Sequence, residues 1–401
     1  MTMRNPITKL AAAAIIVVAG IAGITMWKHT GSGIVLANVL AQVQQVTAYM
    51  YQMTMTMTGK GPTGIPMNQT MEASILFAQE GGMKMTMGAA DPNGGKISQS
   101  ETYMLPQEKA IISIMPEQKM YMRMELDDTL LAKSRQQNND PGAMLQQILN
   151  CKYESLGRSR IDGVTVEGFR TTDPNYLGGM MGSVNVKIWV DVKTQLPVRS
   201  EIDMQIGEMQ VHGVVHDFQW DYPVDATTFK PAIPADYTAM PGGTIKAPAI
   251  NEETAIEGLK LLGDRTGRYP EKLDYVTLMS QLTKITDAND PSRGEDQAAL
   301  RKLIEGGASK EEALKQIAAT TTKRTMDVMM PVQGIVMFYM TLVTDKKEPV
   351  YYGNVVTPKD ADKVLLRWKL SENQYRVIFG GLHAETVDAA TLAELEKTLP
   401  K

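Results

Sequence analysis

The sequence predicts an α+β fold, with a large curved antiparallel sheet in the N-terminal half and a smaller α+β unit behind it. Three observations support this class. Apolar and polar residues alternate with period two over many stretches between residues 49 and 218. Proline and glycine then accumulate at residues 240–251. Beyond Glu252, apolar residues return at helical spacing.

The chain has 401 residues, which is long for one hydrophobic core and suggests two globular units. It carries 41 lysine and arginine residues against 45 aspartate and glutamate residues, for a formal net charge of -4. No basic run stands out from this balance. The composition therefore argues against a nucleic-acid partner.

Residues 10–27 carry no charge and as a helix would extend about 27 Å, close to the hydrocarbon thickness of a bilayer. Arg4 and Lys9 precede this stretch, which favours a cytoplasmic tail at residues 1–9 and a single-pass membrane anchor at 10–27. The alternative is a cleaved signal peptide, because the stretch is short and rich in alanine. In both cases the bulk of the chain is expected outside the cytoplasm, in the periplasm.

The first unit is expected to begin with a helix at residues 34–46 and to continue as a string of hairpins. One helix interrupts the strands, with Asp140 as its N-cap and Pro141 at its first position. Later strands are predicted at 155–161, 164–171, 184–190, 198–204 and 209–218, giving a single layer of about eight strands. Cys151, the one cysteine, follows the helix and is expected to be buried and unreactive.

Methionine occupies every second position at 53–57, 83–87 and 120–124, so one sheet face is expected to carry flexible thioethers that adapt to what they contact. A single layer of about eight strands has more inner face than one or two helices can cover, which predicts an open pocket. Trp189 and Trp220 are expected to pack at the ends of the sheet. The predicted ligand-binding residues are Tyr51, Met53, Met55, Met57, Met71, Ile75, Met85, Met122 and Met124 from the strands, and Met144 and Ile148 from the helix.

Two segments carry a resemblance to a known family. Residues 186–199 are predicted to form a strand that ends in a polar turn with Leu196-Pro197 before a second strand, and residues 218–237 contain Phe218-Gln219-Trp220-Asp221-Tyr222-Pro223 followed by Phe229-Lys230-Pro231. Both are similar to lipoprotein carriers of the LolA/LolB type, over residues 34–237. The resemblance implies a half-open barrel, lidded by helices, whose apolar concave face holds acyl chains. Periplasmic sensor domains that accompany anti-sigma factors share this fold by resemblance.

Residues 238–251 have linker composition, and residues 252–401 are expected to form the second unit. Its helix and following Gly267-Arg268-Tyr269-Pro270 turn look like the globular part of pseudopilins, with residues 362–382 as the closing hairpin. This second resemblance carries no functional residues. Residues 326–343 are apolar but interrupted by Asp327 and Pro331, which favours a buried core helix over a second membrane span.

No motif points to catalysis. His212 and His216 lie in a predicted strand, where four residues cover about 13 Å, so they cannot share one metal ion. No serine or cysteine lies in a recognisable nucleophile elbow, the sharp strand-to-helix turn that exposes a catalytic side chain. No pair of carboxylates stands out from the other acidic residues. We therefore expect no enzymatic activity, no metal and no cofactor.

The sequence thus predicts a non-enzymatic, membrane-attached binding protein for a lipid or lipoprotein acyl chain or an apolar peptide. The first alternative is a cell-envelope interaction or sensor scaffold, in which methionine fills an ordinary core. The second is Cu(I) binding, because thioethers are soft ligands suited to that ion. No histidine or cysteine lies close in sequence to the methionines, which disfavours copper.

Overall fold

The computed structural model describes residues 33–61, 66–90, 96–137, 140–176, 183–225, 227–274, 277–278, 280–282 and 291–399. The predicted tail at 1–9 and the predicted anchor at 10–27 lie outside these described residues.

The first unit is built around one large sheet, which contains twelve strands among the described residues. Its strands are β1 (Ala48–Lys60), β2 (Pro66–Ala78), β3 (Gly82–Ala90), β4 (Lys96–Leu105), β5 (Ala110–Met115), β6 (Met120–Glu125), β7 (Glu154–Ile161), β8 (Val164–Thr171), β9 (Val184–Asp191), β10 (Pro197–Ile206), β11 (Met209–Trp220) and β12 (Thr238–Lys246). Their spatial order is β12-β6-β5-β4-β3-β2-β1-β11-β10-β9-β8-β7. The sheet is not closed into a barrel, since β12 and β7 stand at its two ends.

Two features of this sheet correct the sequence prediction. The sheet is larger than the expected eight strands, and it is mixed, because β12 runs parallel to β6 while the other described pairs are antiparallel. The run Pro241-Gly242-Gly243 predicts a linker over residues 238–251, but residues 238–246 form strand β12. The pairing with β6 shifts register between Ala239 and Thr244, so these three residues sit in an irregularity of an edge strand, where proline and glycine are tolerated.

Among the described residues, three α-helices accompany the sheet: α1 (Leu36–Val43), α2 (Asp128–Gln137) and α3 (Pro141–Leu149). The predicted start of α3 is observed, because the Asp140 side chain accepts a hydrogen bond from the Gly142 N–H and Pro141 is the first helical residue. Helix α2 was not predicted. Its C-terminal half is a polar run, Lys133-Ser134-Arg135-Gln136-Gln137, which gives no apolar stripe to recognise.

The second unit combines helices with a small sheet. Its elements are α4 (Glu252–Thr266), α5 (Pro291–Glu305), α6 (Lys310–Thr344), β13 (Val350–Tyr351), β14 (Val364–Ser371), β15 (Gln374–Phe379), β16 (Ala384–Asp388) and α7 (Ala389–Lys397). Strands β13 to β16 pair in chain order, and β14 and β15 form the hairpin expected from residues 362–382.

Helix α6 contains residues 326–343, for which the sequence favours a buried core helix over a second membrane span. Its residues 323–344 are long and apolar enough to cross a membrane by length and composition alone. Val332 and Ile335 are buried with Leu259 and Leu262 of α4 in the hydrophobic core of the unit. This segment of α6 therefore serves as packing surface inside the second unit.

Candidate functional site

Cross-strand register places the predicted strand residues of the site on a single face. Residues directly opposite one another in antiparallel strands project from the same side of a sheet. One row of opposite partners crosses six strands: Tyr51, Ile75, Met85, Thr102, Ser113 and Met122. Met55 lies opposite Met71 in a parallel row, and Met124 lies opposite Ile111.

We call this side of β1–β6 the methionine face. Within the described strands, every methionine of β1–β6 except Met50 belongs to it. The predicted site omitted several of these residues although the same period-two spacing marks them. They are Met67, Met83, Met87, Met104, Met115 and Met120.

The methionine face has a buried floor and a partly exposed surface. Tyr51, Ala73 and Ile75 are at most 3% exposed and pack together, with Met53, Met85 and other methionines lying partly buried against them. Met55, Met57, Met71, Met122 and Met124 are likewise only partly buried. The packing therefore leaves thioether surface accessible on this face.

An aromatic cluster borders the methionine face where β1 meets β11. The Tyr49 ring stacks 5.0 Å from Phe77 and lies 5.4 Å from Trp220, measured between ring centroids. Phe218 stacks on Trp220 at 5.3 Å. Trp220 ends β11, and its indole N–H donates to the Pro197 carbonyl at 3.0 Å. Such stacked rings give the border a stiff apolar wall beside the flexible thioethers.

Helices α1 and α3 cover the other half of the same sheet face. Leu145 and Ile148 of α3 are fully buried with Val186 and Ile188 of β9, and Met144 packs partly buried against this group. Trp220 contacts both this cluster and the Tyr51 cluster. Met144 and Ile148 therefore pack on the same side of the sheet as the strand methionines. They lie over the half of that side that the helices cover.

A hydrogen bond links α3 to the border of the methionine face. The Tyr49 hydroxyl donates to Asp140 Oδ1 at 3.0 Å, and the same carboxylate oxygen caps α3. Burial raises the pKa of Asp140, although its bonds from Gly142 and Tyr49 act in the opposite direction. Burial also raises the pKa values of Tyr49 and Tyr51 well above the usual tyrosine range, with the Asp140 charge adding to the effect. Burial thus disfavours the charged form of all three groups.

The opposite face of the sheet is polar where β9, β10 and β11 meet. His212 Nδ1 lies 2.6 Å from Asp203 Oδ1, and Asn185 Nδ2 donates to Asp203 Oδ2 at 2.9 Å. The hydrogen bond to His212 is the first cause of a lowered pKa at Asp203. These side chains border a cavity of about 280 Å³. His216 pairs instead with the neighbouring Asp217, so the two histidines have separate partners.

Trp189 also lies on this polar side. It packs over Gly168, where an added Cβ would lie 3.0 Å from the indole nitrogen. In the part of the chain that the structure describes, no group of three or more histidine, cysteine, aspartate or glutamate side chains is placed to hold a metal ion. The described side chains on this polar side therefore offer hydrogen-bonding groups but no set of metal ligands.

No protein-family model matches this sequence, and no curated protein matches it significantly. Solved structures do resemble it. LprF from Mycobacterium bovis is 14% identical with a TM-score of 0.30, and the match covers 51% of this chain and 95% of that one. The lipoprotein LppX from Mycobacterium tuberculosis is 14% identical with a TM-score of 0.29, over 47% of this chain and 98% of that one.

A LolA superfamily protein from Nitrosomonas europaea is 11% identical with a TM-score of 0.23, over 50% of this chain and 99% of that one. The neighbours thus include proteins of the type that the sequence resembles. At these identities and TM-scores, the similarity assigns neither a ligand nor an activity to this chain.

Proposed function

We propose that the protein is a non-enzymatic binding protein and that its methionine face receives the acyl chain of a lipid or lipoprotein. The observation that carries the proposal is an asymmetry within one sheet face. The half over β8–β10 is sealed by α1 and α3, whereas the half over β1–β6 keeps partly exposed methionines above a buried floor of Tyr51, Ala73 and Ile75.

The chemistry of this surface suits an acyl chain. Each methylene removed from water stabilises a complex by about 0.8 kcal/mol. Unbranched thioether side chains can repack around a flexible chain of variable length, which stiff branched residues cannot do. In the proposed complex the aromatic border of Tyr49 and Trp220 is the wall against which one end of the chain packs.

The proposed location follows from the same role. With residues 10–27 as an anchor or a signal peptide, the described part of the chain would lie outside the cytoplasm, where lipid and lipoprotein chains need a shielded site. An anchored protein would hold or pass on such a chain at its own membrane. It would not carry the chain between membranes.

A binding assay tests the proposal. A dansyl-labelled fatty acid should fluoresce with the full-length protein in mild detergent, and unlabelled palmitate should displace it. Met85→Asp places a charge on the methionine face and should weaken binding roughly tenfold or more, since a buried unpaired charge is costly. Thr86→Asp, one residue along β3 and on the opposite face, is the matched control and should leave binding within about twofold.

Two outcomes would overturn the proposal. The first is a wild-type protein that never binds the probe, which would favour a scaffold whose groove is filled by its own side chains. Full burial of Tyr51, Ile75 and Ile148 is the observation that speaks for that alternative. The second is equal weakening by both substitutions, measured on variants whose circular dichroism shows that they are folded.

A further inference from the structure

The methionine face concentrates one oxidisable group in one place. Met53, Met55, Met71 and Met87 surround the small buried Ala73, and all four are partly exposed. Thioethers that solvent can reach are oxidised readily, and oxidation turns a flexible apolar side chain into a polar one. A surface rich in such groups therefore changes character under oxidants in a way that a leucine surface would not.

We propose that the methionine face is a site of reversible oxidation by peroxides or hypochlorous acid, and that formation of methionine sulfoxide there expels the apolar ligand. The second half of this proposal rests on the proposed function. The first half stands on the positions and exposure of the methionines alone.

The chemical step balances with hydrogen peroxide as the oxidant. A sulfur lone pair attacks one peroxide oxygen, the O–O bond breaks, and a new S–O bond forms. The sulfur loses two electrons, and the peroxide is reduced to water as the departing hydroxide takes up the remaining proton. No residue of the protein has to supply a base, because the thioether reacts without losing a proton.

Cys151 is poorly suited to compete for the oxidant. It is partly buried beside the helix-covered half of the sheet, and burial is the first cause of a raised pKa for its thiol. Since the thiolate is the reactive form, a raised pKa leaves little of it at neutral pH. Among the described residues, the methionine face holds the largest group of partly exposed thioethers, and a second, smaller group lies on α6 at Met326, Met329, Met330, Met337 and Met340.

A sulfoxide oxygen at Met53 or Met55 would lack partners on the neighbouring strands. Met53 lies opposite Ala73 and Val215, and Met55 lies opposite Met71 and Gly213, none of which has a hydrogen-bond donor in its side chain. Met85 differs, because it lies opposite Thr102, whose hydroxyl group is bonded to Ser113 at 3.1 Å. With a ligand covering it, the sulfoxide would be desolvated and unpaired, and without one it can bond to water. Oxidation of these methionines therefore favours the ligand-free protein.

The burial pattern supplies internal controls. Met104 belongs to the methionine face but is only 2% exposed, and Met209 on β11 is 8% exposed. Met50 is in β1 as well, but it projects from the opposite face. If access decides the reaction, the partly exposed methionines should be oxidised well before Met104 and Met209.

The experiment treats the full-length protein with graded hydrogen peroxide and maps sulfoxides by peptide mass spectrometry. The expected result is early oxidation of Met53, Met55 and Met85 and late oxidation of Met104 and Met209. Binding of the dansyl-labelled fatty acid should weaken roughly tenfold or more, the effect of one unsatisfied buried polar group. Methionine sulfoxide reductases of both stereospecificities should restore it.

A multiple variant separates oxidation of this face from general damage. Leucine at positions 53, 55, 71, 85 and 87 conserves volume and cannot form a sulfoxide, so this variant should keep its binding through peroxide treatment within about twofold. Met50→Leu is the matched control on the other face and should remain as sensitive as the wild type. A wild-type protein that binds the probe equally before and after oxidation would overturn the inference alone. A reduced protein that binds no probe would overturn the proposed function, and random oxidation with Met104 as reactive as Met55 would overturn the oxidation site itself.

Discussion

At the scale of single residues, Asp140 combines two tasks. Its carboxylate caps α3 through the Gly142 N–H and accepts a bond from the Tyr49 hydroxyl, so it fixes the helix against the border of the methionine face. Tyr49 and Asp140 are 91 positions apart in the sequence, which makes this contact a tertiary one. Losing it would loosen α3 from the sheet without altering any methionine of β1–β6.

We predict different effects for two substitutions of Asp140. Asp140→Ala removes the cap and should destabilise the protein by about 1 kcal/mol, as measured by urea unfolding. Asp140→Asn keeps an acceptor oxygen and should be at least as stable as the wild type at neutral pH, because it removes the cost of a buried charge.

The pH dependence of Asp140 has a definite sign. Its pKa is raised in the folded protein, so the folded state holds the proton more tightly than the unfolded state does. The stability that this group contributes is therefore present at low pH and is lost as the pH rises from the ordinary carboxyl value through the raised one. The wild type should thus gain stability relative to Asp140→Asn as the pH falls towards that range. A difference between the two proteins that does not change with pH would contradict this assignment.

Some of these residue-level features could be predicted because they depend only on residues that are close in sequence. The cap at Asp140 and the first-turn Pro141 depend on neighbours in sequence, and the shared face of Met53, Met55 and Met57 follows from the period of a strand. The bond from Tyr49 to Asp140 has no such signal. It depends on where α3 comes to lie on the sheet, which no local pattern specifies.

At the scale of elements, the sequence analysis missed strand β12 and helix α2, and each miss has a physical reason. Residues 238–246 contain a Pro-Gly-Gly run that is typical of a linker, yet they pair with β6. Pairing in parallel brings together segments more than a hundred residues apart, and one irregular register step is enough to accommodate the run. Helix α2 lacks an apolar stripe, so periodicity could not reveal it.

The contact between α4 and α6 can be tested with one substitution, because packing and helix propensity predict opposite changes in stability. A Cβ at Gly258 would lie 2.5 Å from the Pro331 carbonyl oxygen and 2.6 Å from Ile335 Cγ1. Gly258→Ala should therefore push the helices apart and destabilise the protein by about 1–3 kcal/mol in thermal or urea unfolding. Helix propensity alone predicts the reverse, a gain of up to about 1 kcal/mol.

The control for this prediction is Glu257→Ala, an exposed position on the same helix, which should change stability by no more than about 0.5 kcal/mol. If Gly258→Ala proved more stable than the wild type, the close approach of α4 to α6 would be wrong.

At the scale of the whole molecule, β12 belongs to the large sheet and also adjoins the second unit. Thr244 and Ile245 of β12 border a cavity of about 350 Å³ together with Met326 and Met330 of α6. Strand β12 thus covers the edge that β6 would otherwise expose. We propose that the first unit extends through this strand, beyond the boundary at residue 237 that the sequence suggested.

Two truncated proteins test this boundary. A protein of residues 33–251 keeps β12, whereas one of residues 33–237 leaves the unpaired N–H and C=O groups of β6 facing solvent. Exposed strand edges promote pairing between molecules, and β6 also presents Met120, Met122 and Met124 on one side. The shorter protein should therefore elute as larger species in size-exclusion chromatography with light scattering and should unfold at a lower temperature. Equal elution and equal melting of the two proteins would mean that β12 contributes nothing to the sheet, and the predicted boundary at residue 237 would then stand.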